Sequence, residues 1–318
     1  MFHYFKIVRP LNLLIITSCI ILAASILDRL TTPSTWVTVT SISKHSWSEH
    51  PIDQIIIIIS LIITIVLLAA FANVFNDIID YKIDLINRPD RPIPSNMITI
   101  RGAIIYAILL FILAVIVILY NPFIIPIHKF NYYIILALII IYTLFLKRMP
   151  LVGNITVAFL SAMVFFIPAL SLKPFIGYTP MIIPTVPEFN ITDIIPVTTF
   201  SFLLMLIREI VKDIADIEGD QQYNAHTFPI KFGIIHSFTL IVILSLILSI
   251  ISFYFFYIEL YNLPSILLIT IFILCPLLYY LNEFRKNKTS TYCIYLSKVL
   301  KLLTICGVIV IYLTTLFR

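Results

Sequence analysis

Long apolar runs without charged residues alternate with short polar stretches along this chain. The runs show no alternation of period two, and most approach or exceed the about 20 residues that a helix needs to cross about 30 Å of hydrocarbon. They therefore predict transmembrane helices and not the strands of a barrel. A shorter run, 194–207, leads directly into an acidic segment, and we interpret it as a ninth helix that continues past its apolar part. The other runs are 10–27, 54–76, 102–127, 130–146, 149–172, 232–258, 260–282 and 302–317.

This pattern predicts an all-α polytopic membrane protein with nine transmembrane helices, and the composition agrees. Of the 318 residues, 61% are hydrophobic and 12% are charged, whereas soluble domains average about 45–50% apolar and about 25% charged residues. We treat 1–318 as a single transmembrane domain. The net charge of +5 is expected of a membrane protein with basic loops, so it does not indicate a nucleic-acid partner.

The basic residues predict the orientation. If the N-terminus is cytoplasmic, 16 of the 21 Lys and Arg residues lie in cytoplasmic segments, which agrees with the charge bias that orients membrane proteins. The same orientation places both acidic segments of the chain on the cytoplasmic side. We therefore expect an integral membrane protein of the plasma membrane, with its functional site facing the cytoplasm.

Two acidic segments follow long apolar runs, and each presents one polar face. At about 100° per residue, the polar residues of the first segment fall within about 100° of one another, and those of the second within about 60°. An intramembrane carboxylate costs about 2.5–3.5 kcal/mol, so a cation must offset the charge. The first face consists of Asn73, Asn76, Asp77, Asp80 and Asp84, and the second of Glu209, Asp213, Asp216 and Asp220.

Paired carboxylate faces favour chemistry with a divalent metal and a diphosphate. Hard oxygen ligands select Mg²⁺, which proteins usually hold through one or two carboxylates together with substrate phosphates. Arg and Lys side chains nearby would meet the remaining phosphate charge. With its leaving group stabilised in this way, an allylic C–O bond can ionise. Each loop after an acidic face is basic and leads into the next helix, which suggests two related units.

Simpler structural interpretations exist for each part. A carboxylate at a helix end can be solvated at the interface, and basic residues can anchor cytoplasmic loops. Asn154 lies within an apolar run, where small and amide-bearing side chains often serve helix packing. Two matched acidic faces on one side of the membrane favour a functional site over these interpretations.

The acidic segments resemble the signatures of the UbiA superfamily of intramembrane prenyltransferases. NDxxDxxxD corresponds to 76–84, and DxxxD corresponds to Asp216–Asp220. The resemblance implies a nine-helix UbiA-type bundle that binds Mg²⁺ and a polyprenyl diphosphate between the two motifs. The segments 86–95, 146–154 and 208–220 look most like the branch that transfers a geranylgeranyl group from its diphosphate to the sn-2 hydroxyl of geranylgeranylglyceryl phosphate.

The resemblance, together with the chemistry above, implies roles for individual residues. The expected cofactor is Mg²⁺, and the expected partners are a polyprenyl diphosphate donor, a lipid-soluble acceptor and membrane lipids. The predicted metal ligands are Asn76, Asp80, Asp84, Asp216 and Asp220. The predicted catalytic carboxylates are Asp77, Asp80, Asp84, Asp213, Asp216 and Asp220. The predicted substrate-binding residues are Arg9, Asn12, Asn73, Arg88, Arg91, Lys147, Arg148, Asn154, Arg208, Lys212 and Lys231.

One residue departs from the branch, which usually has Gly at the position of Asn96. Asn adopts the left-handed backbone conformation more readily than most residues other than Gly, so we expect the turn to be retained. No general base is assigned, since an alcohol that attacks a cation-like carbon needs little prior deprotonation.

Two other functions stay open at this point. The first keeps the fold and replaces the acceptor with an aromatic ring of a quinone, tocopherol or chlorophyll-type pathway. The second is a cation-coupled transporter, which needs carboxylates near the bilayer midplane. The run 54–76 holds 23 residues, or about 35 Å of helix, so the first acidic face lies at the membrane edge and disfavours a transporter.

Overall fold

The computed structural model describes residues 2–31, 51–176, 194–258 and 263–315. Every regular element within these ranges is helical, as the sequence predicts. Most of the two predicted outer loops, 30–53 and 173–193, lies outside the described residues. The helices are α1 Phe2–Ile7, α2 Pro10–Thr31, α3 Pro51–Ile79, α4 Tyr81–Asn87, α5 Ile100–Tyr120, α6 Pro126–Leu144, α7 Val152–Ile176, α8 Ile195–Ala215, α9 Ile217–Gln222, α10 Phe228–Tyr257, α11 Leu263–Ile269, α12 Cys275–Lys286 and α13 Ser290–Thr315.

Six helices in the described ranges are long and apolar enough to cross a membrane. Two further elements connect helices: a 3₁₀ turn, Leu146–Arg148, joins α6 to α7, and a π-helical segment, Thr270–Leu274, joins α11 to α12. The six membrane-length segments are Ile55–Ile79, Ile100–Tyr120, Pro126–Leu144, Val152–Ser171, Phe228–Tyr257 and Leu263–Lys286.

The last helix begins earlier than the apolar pattern indicates. The uncharged run starts at residue 302, yet α13 begins at Ser290 and includes Lys298 and Lys301. A lysine can lie within a membrane helix when its aliphatic stem packs along apolar neighbours and its ammonium reaches a polar group. Placing the predicted boundary at the nearest charged residue therefore makes this helix too short.

Helix starts follow from local sequence. Proline occupies the first turn of α6, α8 and α10, where its missing N–H would have no partner within the helix. The Thr99 hydroxyl accepts a hydrogen bond from the Gly102 N–H, 3.1 Å away, and so caps the N-terminus of α5. These local signals set the helix starts, which differ by a few residues from the starts of the apolar runs.

Two apolar cores hold the bundle together. One is built around α3, α5 and α6, and the other around α8 and α10–α13, while α2 and α7 contribute to both. Helix α8 packs most extensively on α13, α7 and α10. On α5 the buried positions are Ala103, Ala107, Leu110, Ala114 and Ile118. Their spacing of three or four residues forms one stripe, and its small side chains allow close packing on α3.

Both acidic segments lie where a long helix gives way to a short one. Asp80 separates α3 from α4, and Asp216 separates α8 from α9. The backbone hydrogen bonds continue through both junctions, from Asp80 N to Asn76 O at 2.9 Å and from Asp216 N to Lys212 O at 2.9 Å. The two short helices, α4 and α9, pack against each other. The fold therefore brings the two acidic segments together at one end of the bundle.

Candidate active site

Both acidic segments line a single cavity of about 440 Å³, within the range typical of small-molecule sites. We name the first segment, Asn73–Asp84, the first arm, and the second, Glu209–Asp220, the second arm. Eight cationic and six carboxylate side chains line the cavity. The predicted residues found in the lining are Arg9, Asn12, Asn73, Asn76, Asp80, Asp84, Arg88, Arg91, Lys147, Arg148, Asn154, Arg208, Lys212, Asp213, Asp216 and Asp220.

Two predicted residues lie elsewhere. Asp77 is buried behind the cavity wall, where its Oδ1 accepts hydrogen bonds from Arg9 Nη2 at 2.5 Å and Arg91 Nη1 at 3.1 Å. It holds two lining guanidinium groups in place. Lys231 is exposed, and its ammonium lies 5.4 Å from the centre of the Phe232 ring. Lys231 is therefore not part of the cavity wall that the described residues form.

Cations from other parts of the chain neutralise the first arm. Asp80 pairs with Lys147 from the 3₁₀ turn, and the same ammonium donates to Asn76 Oδ1 at 2.8 Å. Asp84 pairs with Arg91. Both carboxylates are less than one-tenth exposed. Burial raises the pKa of Asp84 above its ordinary value, and Arg91 opposes this effect. These ion pairs supply the cations that the sequence analysis expected beside the carboxylates of the first arm.

Asn73 and Arg9 join the first arm to the start of α2. The Asn73 side chain donates to the Val8 carbonyl at 3.0 Å. Arg9, between α1 and α2, has a φ of +58°, a conformation that is uncommon for a residue other than Gly. Its contact with Asp77 accompanies this strained conformation, and such strain often occurs at functional sites.

The second arm is less completely neutralised. Glu209 pairs with Lys212 at 2.6 Å and with Arg208 at 2.9 Å. Asp213, in contrast, accepts a hydrogen bond from the neutral amide of Asn154 at 2.7 Å. Asp220 has no side-chain hydrogen bond or ion pair within the described ranges. Burial, followed by repulsion from Asp216, raises the pKa of Asp220 to about 7.

A clamp around Asn87 connects the two arms. The Asn87 amide donates to the Asp216 carbonyl at 3.1 Å and accepts from the Gly219 N–H at 3.0 Å. A Cβ on Gly219 would lie 2.5 Å from the Asn87 side chain, so a larger residue here would press on the Asn87 amide that forms both hydrogen bonds. Beside the clamp, Arg88 Nη2 lies 2.7 Å from Asp216 Oδ2. The loop after the first arm thus contacts the second arm directly.

The turn at Asn96 is retained. Asn96 has a φ of +59°, in the left-handed region, as expected from the preference of Asn for this conformation. The Ser95 hydroxyl donates to the Arg91 carbonyl at 2.6 Å. These contacts fold the loop back and point its two arginines at the carboxylates.

A sequence profile of the UbiA prenyltransferase family matches residues 13–299. The chain belongs to the UbiA prenyltransferase family. It is therefore an integral membrane enzyme that transfers prenyl groups, as the apolar runs and the resemblance of the two motifs predicted.

Similar proteins include named synthases from archaea. A digeranylgeranylglyceryl phosphate synthase of Methanosphaera stadtmanae is 36% identical over 235 residues, which cover 72% of this chain and 77% of the relative. The enzyme of that name from Methanobrevibacter smithii is 41% identical over 167 residues, 51% of this chain and 53% of the relative.

Solved structures share the fold of this UbiA prenyltransferase. A structure of digeranylgeranylglyceryl phosphate synthase superposes with a TM-score of 0.68 at 22% identity, covering 99% of this chain and 98% of the other. A UbiA homologue from Archaeoglobus fulgidus, bound to GPP and Mg²⁺, has a TM-score of 0.60 at 17% identity, with 97% and 99% coverage. At these identities the likeness establishes the architecture alone.

The donor set of this UbiA prenyltransferase fits Mg²⁺, although it is not a compact cage. Among the described residues, no group of three or more His, Cys, Asp or Glu side chains is close enough to hold a metal ion by itself. The predicted ligands all carry hard oxygen atoms and line one cavity. Mg²⁺ is usually held by one or two carboxylates, waters and substrate phosphates, so an open arrangement agrees with a metal that is completed by the substrate.

Among the polar residues of the site that sequence reasoning missed are Asn87 and Lys301. Asn87 directly precedes Arg88, and this position beside a predicted ligand was the available signal. Lys301 lines the cavity from α13, and its ammonium donates to Asn12 Oδ1 at 2.5 Å. The signal for Lys301 was a single cation at the third position of the otherwise uncharged stretch 299–317.

Proposed function

We propose that this UbiA prenyltransferase transfers a geranylgeranyl group from geranylgeranyl diphosphate to the sn-2 hydroxyl of geranylgeranylglyceryl phosphate and releases diphosphate. The observation that carries the proposal is the convergence of both acidic arms and their cations on one cavity. The names of the archaeal relatives support the choice of substrates.

The polar end of the cavity suits the diphosphate of the donor. Asn76, Asp80, Asp84, Asp216 and Asp220 would hold Mg²⁺. Bound there, Mg²⁺ would neutralise the charge that develops on the leaving diphosphate as the allylic C–O bond ionises.

The cations that now pair with these carboxylates have a second role in the proposal. Lys147, Arg91 and Arg88 each contact a proposed metal ligand. Once a metal ion neutralises the carboxylates, these side chains can turn to phosphate oxygens, Arg through two parallel hydrogen bonds and Lys as a compact charge. The ion pairs would therefore keep the carboxylates ionised and the cations close to the place where the diphosphate binds.

The deeper wall of the cavity suits the prenyl chain. Apolar side chains from α3, α6 and α7 line it, among them Leu68, Ile139 and Val164. This surface would hold the prenyl chain and exclude water from the allylic cation until the acceptor hydroxyl attacks. The secondary alcohol would lose its proton after the C–O bond forms, either to a carboxylate of an arm or to the departing diphosphate.

The placement in the membrane completes the proposal. We infer nine crossings within one domain, 1–318, with the N-terminus and both arms on the cytoplasmic side of the plasma membrane. The bias of Lys and Arg supports this orientation. Cysteine-scanning accessibility from both sides of sealed vesicles tests it, and labelling of residues near the arms from the outside only would reverse it.

Product mass spectrometry tests the reaction. Purified protein in detergent receives Mg²⁺, geranylgeranyl diphosphate and a mixture of geranylgeranylglyceryl phosphate with aromatic quinone precursors. We expect the diether phosphate as product and its loss in EDTA. Prenylation of an aromatic acceptor instead would refute the proposed acceptor, and turnover that is unchanged in EDTA would refute the metal site.

A further inference from the structure

Lys301 is a cation without a carboxylate partner among the described residues. Its ammonium contacts the neutral amide oxygen of Asn12, and the charged groups that act on it are the guanidinium groups of Arg208 and Arg9. Lys301 is partly buried. A partly buried ammonium that faces two other cations is costly unless an anion joins it.

The other lining cations differ from Lys301. Six of the eight form ion pairs: Arg9, Arg88, Arg91, Lys147, Arg208 and Lys212. Arg148 has no carboxylate partner in the described ranges, but it is exposed, where water satisfies its charge. Lys301 alone combines partial burial with a neutral partner within this part of the chain.

The position of Lys301 separates it from Asp216, the proposed metal ligand at the end of α8. The Ser290 hydroxyl donates to the Ala215 carbonyl at 2.9 Å, and Arg208 Nε donates to the Ser297 carbonyl at 3.3 Å, so α8 and α13 run antiparallel. Lys301 follows Ser290 by eleven residues, or about 16 Å of helix. Its side chain leans back toward the helix N-terminus, which leaves the ammonium about 10 Å below the level of Ala215 and the adjacent Asp216.

That separation matches the spacing of two phosphates in the proposed reaction. The path from the leaving phosphorus through the reacting carbon and the glycerol to the acceptor phosphorus contains six covalent bonds of about 1.5 Å. It also contains one forming bond of about 3 Å. The path between the two phosphorus atoms is therefore about 12 Å long when extended, and modest bending brings these atoms to about 10 Å from each other.

We propose that Lys301, together with the neighbouring Arg208 and Arg9, forms a second anion subsite that binds the phosphate of the acceptor. This inference rests on the proposed function, which supplies an acceptor with a phosphate. The subsite selects phosphate-bearing lipids over neutral or aromatic acceptors and orients the sn-2 hydroxyl toward the donor.

Matched acceptors and matched variants test the subsite. Kinetics are measured with geranylgeranylglyceryl phosphate and with phosphate-free geranylgeranylglycerol for wild type, Lys301→Met and Lys301→Arg. Lys298→Met, an exposed lysine on the same helix, is the control. We expect Lys301→Met to lower kcat/KM for the phosphate acceptor about 10- to 100-fold, with the phosphate-free acceptor and the donor KM nearly unchanged. Lys301→Arg should recover most of the loss, and Lys298→Met should resemble wild type.

Three results would overturn the subsite. Equal losses with both acceptors would assign Lys301 a structural role through Asn12. A raised donor KM would make it a ligand of the diphosphate. An acceptor-selective loss in Arg148→Gln, with none in Lys301→Met, would place the phosphate at the mouth of the cavity.

A binding measurement separates this inference from the proposed function. A diether glyceryl phosphate without a free hydroxyl serves as an unreactive probe in a thermal-shift titration in EDTA. Stabilisation of wild type and Lys298→Met, but not of Lys301→Met, supports the subsite even if wild type transfers no prenyl group to the proposed acceptor. Equal stabilisation of all three proteins, or of none, overturns it.

Discussion

The two arms have the same local architecture but differ in what neutralises them. Each passes at an aspartate, Asp80 or Asp216, from a long helix into a short one. In the first arm every carboxylate pairs with Arg or Lys. In the second arm Asp213 contacts a neutral amide, and Asp220 has no such partner among the described residues. The first arm is thus neutralised by the protein, whereas the second needs a cation from outside more strongly.

The largest expected effect tests whether both arms are needed. Asp80→Ala and Asp216→Ala each remove a proposed Mg²⁺ ligand, so we expect kcat to fall at least about 100-fold in either variant. Transfer of labelled geranylgeranyl to the acceptor measures the loss. Lys298→Met serves as control, and size-exclusion profiles show whether each variant is still folded. Normal turnover in either aspartate variant would mean that one arm suffices.

A smaller effect tests how the arms are held together. Gly219→Ala places a Cβ against Asn87 and should push α4 away from α9. We expect kcat to fall about 10-fold, because a displacement of catalytic groups by about 1 Å can lower the rate by as much as 100-fold. The double variant Gly219→Ala/Asn87→Ala removes the clash. It should be more active than Gly219→Ala alone, and Gln222→Ala, an exposed change on α9, is the control. Strictly additive losses in the double variant would contradict the clamp.

The arms were predictable from sequence because their information is local. Each acidic face lies within twelve residues, so helical periodicity alone brings its carboxylates together. The Asn87 clamp joins residues 132 positions apart, and the Lys301 contact joins residues 289 positions apart. Only the packing of α4 on α9 and of α13 on α2 creates these pairs.

Helix ends were predicted less well than the arms for a related reason. Charge marks the limit of an apolar run, yet the membrane tolerates a charged side chain that reaches a polar partner. Lys301 does so through Asn12, and a residue on another helix is invisible to a pattern read along one segment. The exposed position of Lys231 shows the converse, since proximity in sequence to the second arm did not bring it into the cavity.

Without metal, removing a carboxylate should change the stability of the protein in opposite directions in the two arms. Asp80→Asn leaves the Lys147 ammonium without its carboxylate partner and should destabilise the protein by about 1–3 kcal/mol. Asp220→Asn replaces a carboxylate whose charged form is disfavoured by burial, and should stabilise the protein by about 1 kcal/mol. At pH 8, above the pKa of about 7 for Asp220 in the folded protein, this carboxylate is ionised in both states.

Apparent melting temperatures in EDTA at pH 8 measure both changes, and Lys298→Met is again the control. Added Mg²⁺ should raise the melting temperature of wild type and narrow the advantage of Asp220→Asn, because the ion supplies the charge that the second arm lacks. Shifts of the same sign in the two variants would show that the arms are neutralised alike.

The smallest effects concern the turns that follow the arms. Asn96 lies in the loop after the first arm and Asn224 in the turn after the second arm, with φ of +59° and +52° respectively. A left-handed conformation costs most other residues about 1–2 kcal/mol, so Asn96→Val and Asn224→Val should each destabilise the protein by about 1 kcal/mol, whereas Gly at either position should change stability by less. Melting curves of the four variants measure this. The first loop also brings Arg88 and Arg91 to the carboxylates. Asn96→Val should therefore lower kcat/KM for the donor more than Asn224→Val does. Equal losses would mean that the two turns position the arms in the same way.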